Sequence, residues 1–372
     1  MSNATFSRKP LVAAVLTTLA VFSAGAMAGE TEEAKTNVEL TIGTAESTTD
    51  KTVAGTVQNE QTWDEAWAKK FGDKFTNASG KVTINGQDSD KITISKDEAN
   101  KTAGKLTNKL SSLTLNVGLD VAEGGTFVNN GTLEANKAIT VDGSLVNTGT
   151  LKTNADLTVN GGFDNAKGKI EVTGTDTKNK ANVTINGLNK TDDLEAAPAS
   201  VVMGDITLTN ATLTNNDKGY KLKTEADKKE GENDKTPETR ARVSYGNVTL
   251  KTGGKFVNAE SALDSGSSLT IASDAVNAEI NGKSTWGTIN AQKEKAVTIG
   301  EAGTLSADYL EYGYAAADGS KIGDLVNVTK DDQFTVNKGL TVGSFASGGS
   351  FDLSKDNNKY LASGASLIFG KA

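Results

Sequence analysis

The chain has no cysteine and no histidine, and only three of its 372 residues are proline. The missing cysteine excludes disulfide staples and thiolate nucleophiles. With histidine also missing, a Ser-His-Asp triad and a His/Cys zinc site are excluded. Any metal would have to be held by oxygen, which points to Ca²⁺. Neither the G-G-x-G-x-D nonapeptide nor a D-x-D-x-D-G loop is present, so no metal or other cofactor is expected. Aromatic residues make up 5% and apolar residues 36%, thin for a globular core of this length. A narrow coil interior needs only one or two inward aliphatics per strand. Glycine, at 39 residues, suits a chain with many turns.

Residues 1–28 read as a secretory signal peptide. Arg8 and Lys9 give a positive start, Leu11 to Phe22 an apolar stretch too short to span a bilayer, and Ala26-Met27-Ala28 an A-x-A cleavage site. No other apolar run approaches ~20 residues, so no membrane-spanning helix is expected in the mature chain. Losing Arg8 and Lys9 from the 39 basic residues leaves 37 against 47 acidic, a net charge of −10. That balance argues against nucleic acid and against anionic lipid as partners.

What the chain does have is a register. Phe127, Leu133, Ile139, Leu145, Leu151, Leu157 and Phe163 recur at every sixth position. Companion residues repeat every eighteen: Asn129, Asn147 and Asn165 in one series, Asn136 and Asn154 in another. Three short strands per coil and about eighteen residues per coil predict an all-β fold, a single-stranded parallel β-solenoid. The seven apolar residues form its core stack. The asparagines form ladders, each amide bonding to the coils above and below. Asn-Gly and Asp-Gly steps fall where the chain must bend. One longer motif, Leu119-x-Val121-x-x-Gly124-Gly125-x-Phe127-Val128-Asn129, returns as Val248-x-Leu250-x-x-Gly253-Gly254-x-Phe256-Val257-Asn258.

Other stretches punctuate the pattern. Residues 29–80 read as a leader and cap. In them Trp63, Trp67, Phe71 and Phe75 fall at helical spacing behind the capping box Thr62-x-x-Glu65, predicting a helix near 62–76 that covers the open first coil. Ser95-x-x-Glu98 offers a second short helix through Ala99, Leu106 and Leu110. The β-helix is expected over 81–372. Residues 214–243, rich in Lys, Glu and Asp, read as a solvated, flexible insertion leaving its side.

The strict hexad invites the left-handed helix of acyltransferases, but Val128, Glu134, Thr140, Val146, Lys152 and Thr158 stand where that motif wants small or acidic residues. The alternation of Φ-T-V-[ND]-G with Φ-V-N-x-G-T-Φ resembles the passenger regions of bacterial autotransporters and related surface adhesins. The likeness covers residues ~80–353 and is strongest at 113–172. It implies a right-handed parallel β-helix at the cell surface or secreted, with the periplasm as an alternative. No C-terminal translocator barrel of long amphipathic strands is recognisable up to Ala372.

The expected function is a structural, adhesive scaffold with extended polar faces. Its expected partner is a protein or glycan of a host or neighbouring cell. A polysaccharide lyase or glycoside hydrolase is the second reading, although the adjacent aspartates Asp192-Asp193 and Asp331-Asp332 lack an arginine or aromatic subsite beside them. Self-association into a surface layer or fibre is the third. No catalytic, cofactor-binding or metal residue is assigned.

Overall fold

The computed structural model describes residues 38–42, 48–53, 56–57, 60–64, 66–67, 81–86, 88–99, 101–176, 178–187, 193–194, 197–222, 239–260, 262–316, 319, 321–345 and 357–369. The expected signal peptide at residues 1–28, Phe71, Phe75 and most of the expected charged insertion lie outside them. The chain forms two compact units, Met1–Leu145 and Val146–Ala372. Each is a parallel β-solenoid.

In the first unit, three successive strands each find a parallel partner one coil on. Lys105–Asn108 pairs with Thr126–Asn129, Ser112–Leu115 with Thr132–Ala135, and Gly118–Val121 with Ile139–Val141. Side chains alternate inward and outward along them. Phe127 therefore stacks on Leu106, Leu133 on Leu113 and Ile139 on Leu119, all buried. The spacing of the Asn108–Asn129 and Asn116–Asn136 pairs is 21 and 20 residues, so the coils here are longer than the eighteen expected.

Of the helix expected near 62–76, Thr62 and Trp63 are strand, and residues 68–76 lie outside the described residues. Trp63 ends the strand Glu60–Trp63, which pairs in parallel with Lys105–Asn108. The chain turns at Asp64, whose carboxylate accepts the Trp67 backbone N–H at 2.8 Å. Helical backbone is described only at Ala66 and Trp67. The turn folds the Trp67 ring back onto Trp63, with centroids 4.8 Å apart and planes at 14°. Trp63 is buried to 2%. A second covering element is antiparallel: Val38–Ile42 pairs with Lys81–Asn85 and with Thr48–Val53. Reversing strand direction at the start of a parallel stack hides the hydrogen-bonding edge that the stack would otherwise offer. The second predicted helix, through Ala99, Leu106 and Leu110, is absent. Leu106 lies on a strand, and the segment before it is a turn in which the Asp97 carboxylate accepts the Ala99 N–H at 2.9 Å.

In the second unit, Leu151 stacks on Ile170, Leu157 on Val183 and Phe163 on Val201. Leu145, the last residue of the first unit, is buried as well. The three-sided coil then changes. Val243–Leu250 pairs with Val201–Val202 through its first residues and with Asp205–Thr209 through its last. One strand now covers two sides. Leu263–Ile271, Lys283–Ala291, Thr304–Ala316 and Phe334–Phe345 continue this wide sheet, each in parallel with the next. The recurring glycine motif marks a turn in both units, with φ +75° at Gly124 and +64° at Gly253.

Asparagine works inside the coils as well as outside. Asn108, Asn129, Asn147 and Asn165 are buried at 0–1% exposure. Asn108 donates to Asn129 Oδ1 at 2.7 Å, and Asn129 donates to the Gly131 carbonyl at 3.0 Å. Asn147 donates to Asn165 Oδ1 at 2.5 Å and to the carbonyls of Gly149 and Lys169, each at 3.2 Å. Asn165 passes its own donor to the Met203 carbonyl at 2.6 Å. Outer ladders run in parallel: Asn136 to Asn116 to Asn85 in the first unit, Asn216 to Asn186 to Asn160 in the second.

The expected insertion at 214–243 is too wide. Thr214 and Asn215 end a strand stacked on Ala181–Ile185, Lys221–Leu222 pairs with Asp193–Leu194, and Val243 begins the wide strand. Asp217 and Arg242 are core residues, with side chains 1% and 3% exposed, and form an ion pair at 2.6 Å. Asp217 also accepts the Gly219 N–H at 2.8 Å. The Arg242 guanidinium donates to the carbonyls of Asn186, Ala199 and Gly161 at 3.1, 3.3 and 3.4 Å. Both ends of the charged segment are thus clasped in the interior.

Two stability outcomes follow from these contacts. Asn147→Ala removes the donor for three acceptors, two of them backbone carbonyls. It should lower stability to urea by about 1–3 kcal/mol, and an unchanged midpoint would show that the interior amides contribute nothing. Arg242→Met strands the buried Asp217 carboxylate and should lower stability by about 3–5 kcal/mol. Adding Asp217→Leu should restore most of that loss, because the uncompensated charge is gone.

Candidate functional site

The predicted site residues are architectural, and the structure places them so. The seven core-stack residues are all buried. Within each unit Asn129, Asn136, Asn147 and Asn165 take part in amide-to-amide bonds. Sequence reading gave no ladder role to Asn108, Asn116, Asn160, Asn186 and Asn258; Asn108 and Asn258 close strands, and the other three directly follow one. Trp63 and Trp67 come together, as described above.

The acidic pairs offer little chemistry. Asp331 and Asp332 are exposed in a turn, and Asp331 is bonded to Lys359 at 3.0 Å. Asp193 lies on the short strand Asp193–Leu194, and Asp192 lies outside the described residues. Among the described residues no group of three or more His, Cys, Asp or Glu is arranged to hold a metal ion, and no helix is long and apolar enough to cross a membrane.

One carboxyl is perturbed. Asp264 is fully buried, and burial pushes it up to about 7 from an ordinary 3.8, against the opposing pull of the Ser284 hydroxyl and the Asn258 and Asn215 amides. The Ser284 hydroxyl donates to it, and its second oxygen has no partner. Nearby, Tyr245 stacks on Trp286 at 5.8 Å, and Phe256 meets both edge-on. The Trp286 ring occupies the space that a Cβ on Gly266 would fill, at 2.1 Å, so only glycine fits beneath it. Burial also raises the Tyr245 phenol well above 10, helped by Asp264 and Asp217. A perturbed acid of this kind marks an active site when it opens to a cleft. Here it is buried at 4% exposure near Tyr245 and serves the interior.

The outer face of the wide sheet in the second unit is a continuous polar surface. Two outward files run across its strands. One is Asn247, Ser268, Thr288, Tyr309, Gly339 and Ser366. The other is Thr249, Thr270, Asn290, Glu311, Thr341 and Ile368. The files are tied by polar bonds. Ser268 donates to Asn247 at 2.7 Å, Gln292 to Asn290 at 2.6 Å, and Asn290 to Glu311 Oε2 at 2.9 Å.

Tyr309 stands out on this face. Its ring is 46% exposed, while Leu310 and Tyr312 on the same strand are buried. Ala307 and Leu310 are buried while Asp308 and Tyr309 between them are not, so the in-out alternation breaks here and the ring faces outward. It lies beside Gly339, where an added Cβ would sit 3.3 Å from the ring carbon Cδ1. At the adjoining bend Lys338 bonds Asp308 at 2.7 Å, which holds the Asp308 carboxyl below its usual range and raises the Lys338 ammonium. No residue of this patch was singled out from the sequence. The signal was the run Asp308-Tyr309-Leu310-Glu311-Tyr312, but its outward positions depend on an irregularity that period-2 counting does not contain.

No family model, no curated protein and no solved structure matches the chain.

The buried acid gives a pH test. The folded chain keeps the Asp264 proton up to about 7, while the unfolded chain loses it near 3.8. Between those values the folded state binds more protons, so stability falls as pH rises. The benefit is fully present below 3.8 and lost by about 7. The whole drop is of the order of 4 kcal/mol. Asp264→Asn should flatten the urea midpoint between pH 4 and pH 7, and a slope that persisted in the variant would assign it to other groups.

Proposed function

We propose that the protein is an exported, non-catalytic β-solenoid whose wide outer sheet binds a surface, a protein or a glycan. One observation carries this reading. The second unit presents a broad sheet face of Thr, Ser, Asn, Gln and Glu with one exposed aromatic ring. Such a face gains affinity from many polar contacts held in register by a rigid backbone, so little ordering is needed on binding. The passenger-like motifs at 113–172 and the signal-like residues 1–28 support export. The perturbed acid lies out of reach of a substrate, and the acidic pair at Asp331 and Asp332 is exposed and tied to Lys359, which disfavours the hydrolase reading.

The test is binding of the purified chain to immobilised matrix proteins and to whole cells, alongside a polysaccharide panel assayed for cleavage. Saturable binding is expected, and it should survive Asp193→Asn, Asp331→Asn and Asp332→Asn. Release of reducing sugar or of unsaturated product from the panel would replace the scaffold reading with an enzymatic one.

A further inference from the structure

We infer that Tyr309 and the Gln292–Asn290–Glu311 chain beside it form a stacking subsite for a neutral pyranose unit of a glycan. This rests on the wide sheet being the binding face and names the chemistry of its ligand.

Four features of the patch agree. First, the Tyr309 ring is an exposed apolar plate with no aromatic partner and no hydrogen bond to its hydroxyl among the described residues. Its neighbour along the file is Gly339, which raises no side chain beside the ring. A sugar ring has an apolar C–H face that packs on such a plate, with its hydroxyls directed to the rim. Second, the rim is planar and hydrogen-bonding. Gln292 fixes Asn290, and Asn290 fixes one oxygen of Glu311. The other carboxylate oxygen is unpaired among the described residues and accepts from ligand hydroxyls. The Thr288 and Thr341 hydroxyls flank it on neighbouring strands. These groups are ordered before the ligand arrives.

Third, the local charge suits a neutral ligand. Lys338, the cation beside the ring, is already paired with Asp308. Glu311 is left as the unneutralised charge, on a chain with a formal net charge of −8. A sulfated, phosphorylated or sialylated glycan would meet repulsion. Fourth, the patch lacks what a protein partner needs. Protein interfaces bury about 800 Å² per side around several apolar anchors. Among the described residues the exposed large apolar side chains are Val276, Tyr309, Leu367 and Ile368. Ile368 lies two strands from Glu311 in its file, and Val276 belongs to neither file. Strands repeat at ~4.8 Å along the stack, so further sugar units would meet Thr and Asn side chains on successive rungs.

The experiment uses the full mature chain and soluble tetrasaccharides of glucose, galactose, mannose and N-acetylglucosamine, with sulfated and sialylated counterparts as a second arm. Calorimetry or glycan arrays read affinity, and tyrosine difference absorbance reads stacking. At least one neutral tetrasaccharide should bind and perturb the tyrosine spectrum. Tyr309→Ala should weaken it about tenfold or more, the loss of one stacked ring. Tyr309→Phe and Tyr309→Trp should retain it, and Glu311→Gln should weaken it less than Tyr309→Ala. Circular dichroism and the urea midpoint should match wild type in every variant.

Three results overturn the inference: binding confined to anionic glycans, neutral binding indifferent to Tyr309→Ala, or no tetrasaccharide bound at all. The broader reading fails separately. If wild type binds cells or matrix but Tyr309→Ala binds them equally, only the subsite is wrong. If wild type binds neither cells, matrix nor sugars, the binding-face reading is wrong too.

Discussion

A solenoid must turn a corner several times per coil, and at each corner backbone carbonyls and N–H groups leave the strand ladder. In a buried corner those groups have no water to fall back on. The interior asparagines meet that demand. An amide both donates and accepts, so one residue type satisfies its own turn and reaches the coil beside it. Asn147 does both, bonding the carbonyls of Gly149 and Lys169 and the side chain of Asn165. Aliphatic stacking gives the coils their cohesion, but the amides decide where the chain is allowed to bend. Near Val243–Leu250 two sides merge into one long strand, yet a buried amide persists at Asn258, which donates to the Lys283 carbonyl at 3.1 Å.

The regular middle of the molecule was legible for that reason. Between Phe127 and Phe163 the inward residue, the amide and the turn glycine recur together, and all seven inward residues are buried. The errors came where spacing has two explanations. Trp63 was placed on the cap helix but ends a strand, and helical backbone is described only from Ala66, past the turn at Asp64. Leu106 and Leu110 also fit a helix, yet Leu106 pairs in register with Phe127 on a strand. Local periodicity cannot see that partner. The charged segment failed differently. Averaged over thirty residues it reads as solvated, and the average conceals that Asp217 and Arg242, its two ends, meet inside the core. Tyr309 was invisible because its exposure depends on a break in the in-out alternation at Asp308-Tyr309.

The interior of the second unit handles charge in two ways. Asp217 is paired with a guanidinium whose remaining donors are used by three carbonyls. Asp264 has no such partner and holds its proton instead. The difference follows from arginine, which cannot be deprotonated and offers donors in a fixed fork. Its only companion after residue 28 is Arg240. An otherwise lysine-based chain therefore has one of its two remaining arginines where a buried, planar, many-donor cation is required.

The outer ladder Asn160–Asn186–Asn216 bears on how the molecule ages. Asn160 and Asn186 each precede a glycine, the sequence at which asparagine most readily cyclises and deamidates. Cyclisation needs the side-chain carbonyl to swing toward the next backbone nitrogen. In the ladder those carbonyls are engaged by the amide one coil on, at 2.9 and 3.3 Å. The stack thereby slows the chemistry to which its own turns are prone. Should one amide convert, the new carboxylate at position 186 would face the Asn160 carbonyl oxygen with no proton to give, so the lesion would loosen two coils rather than one.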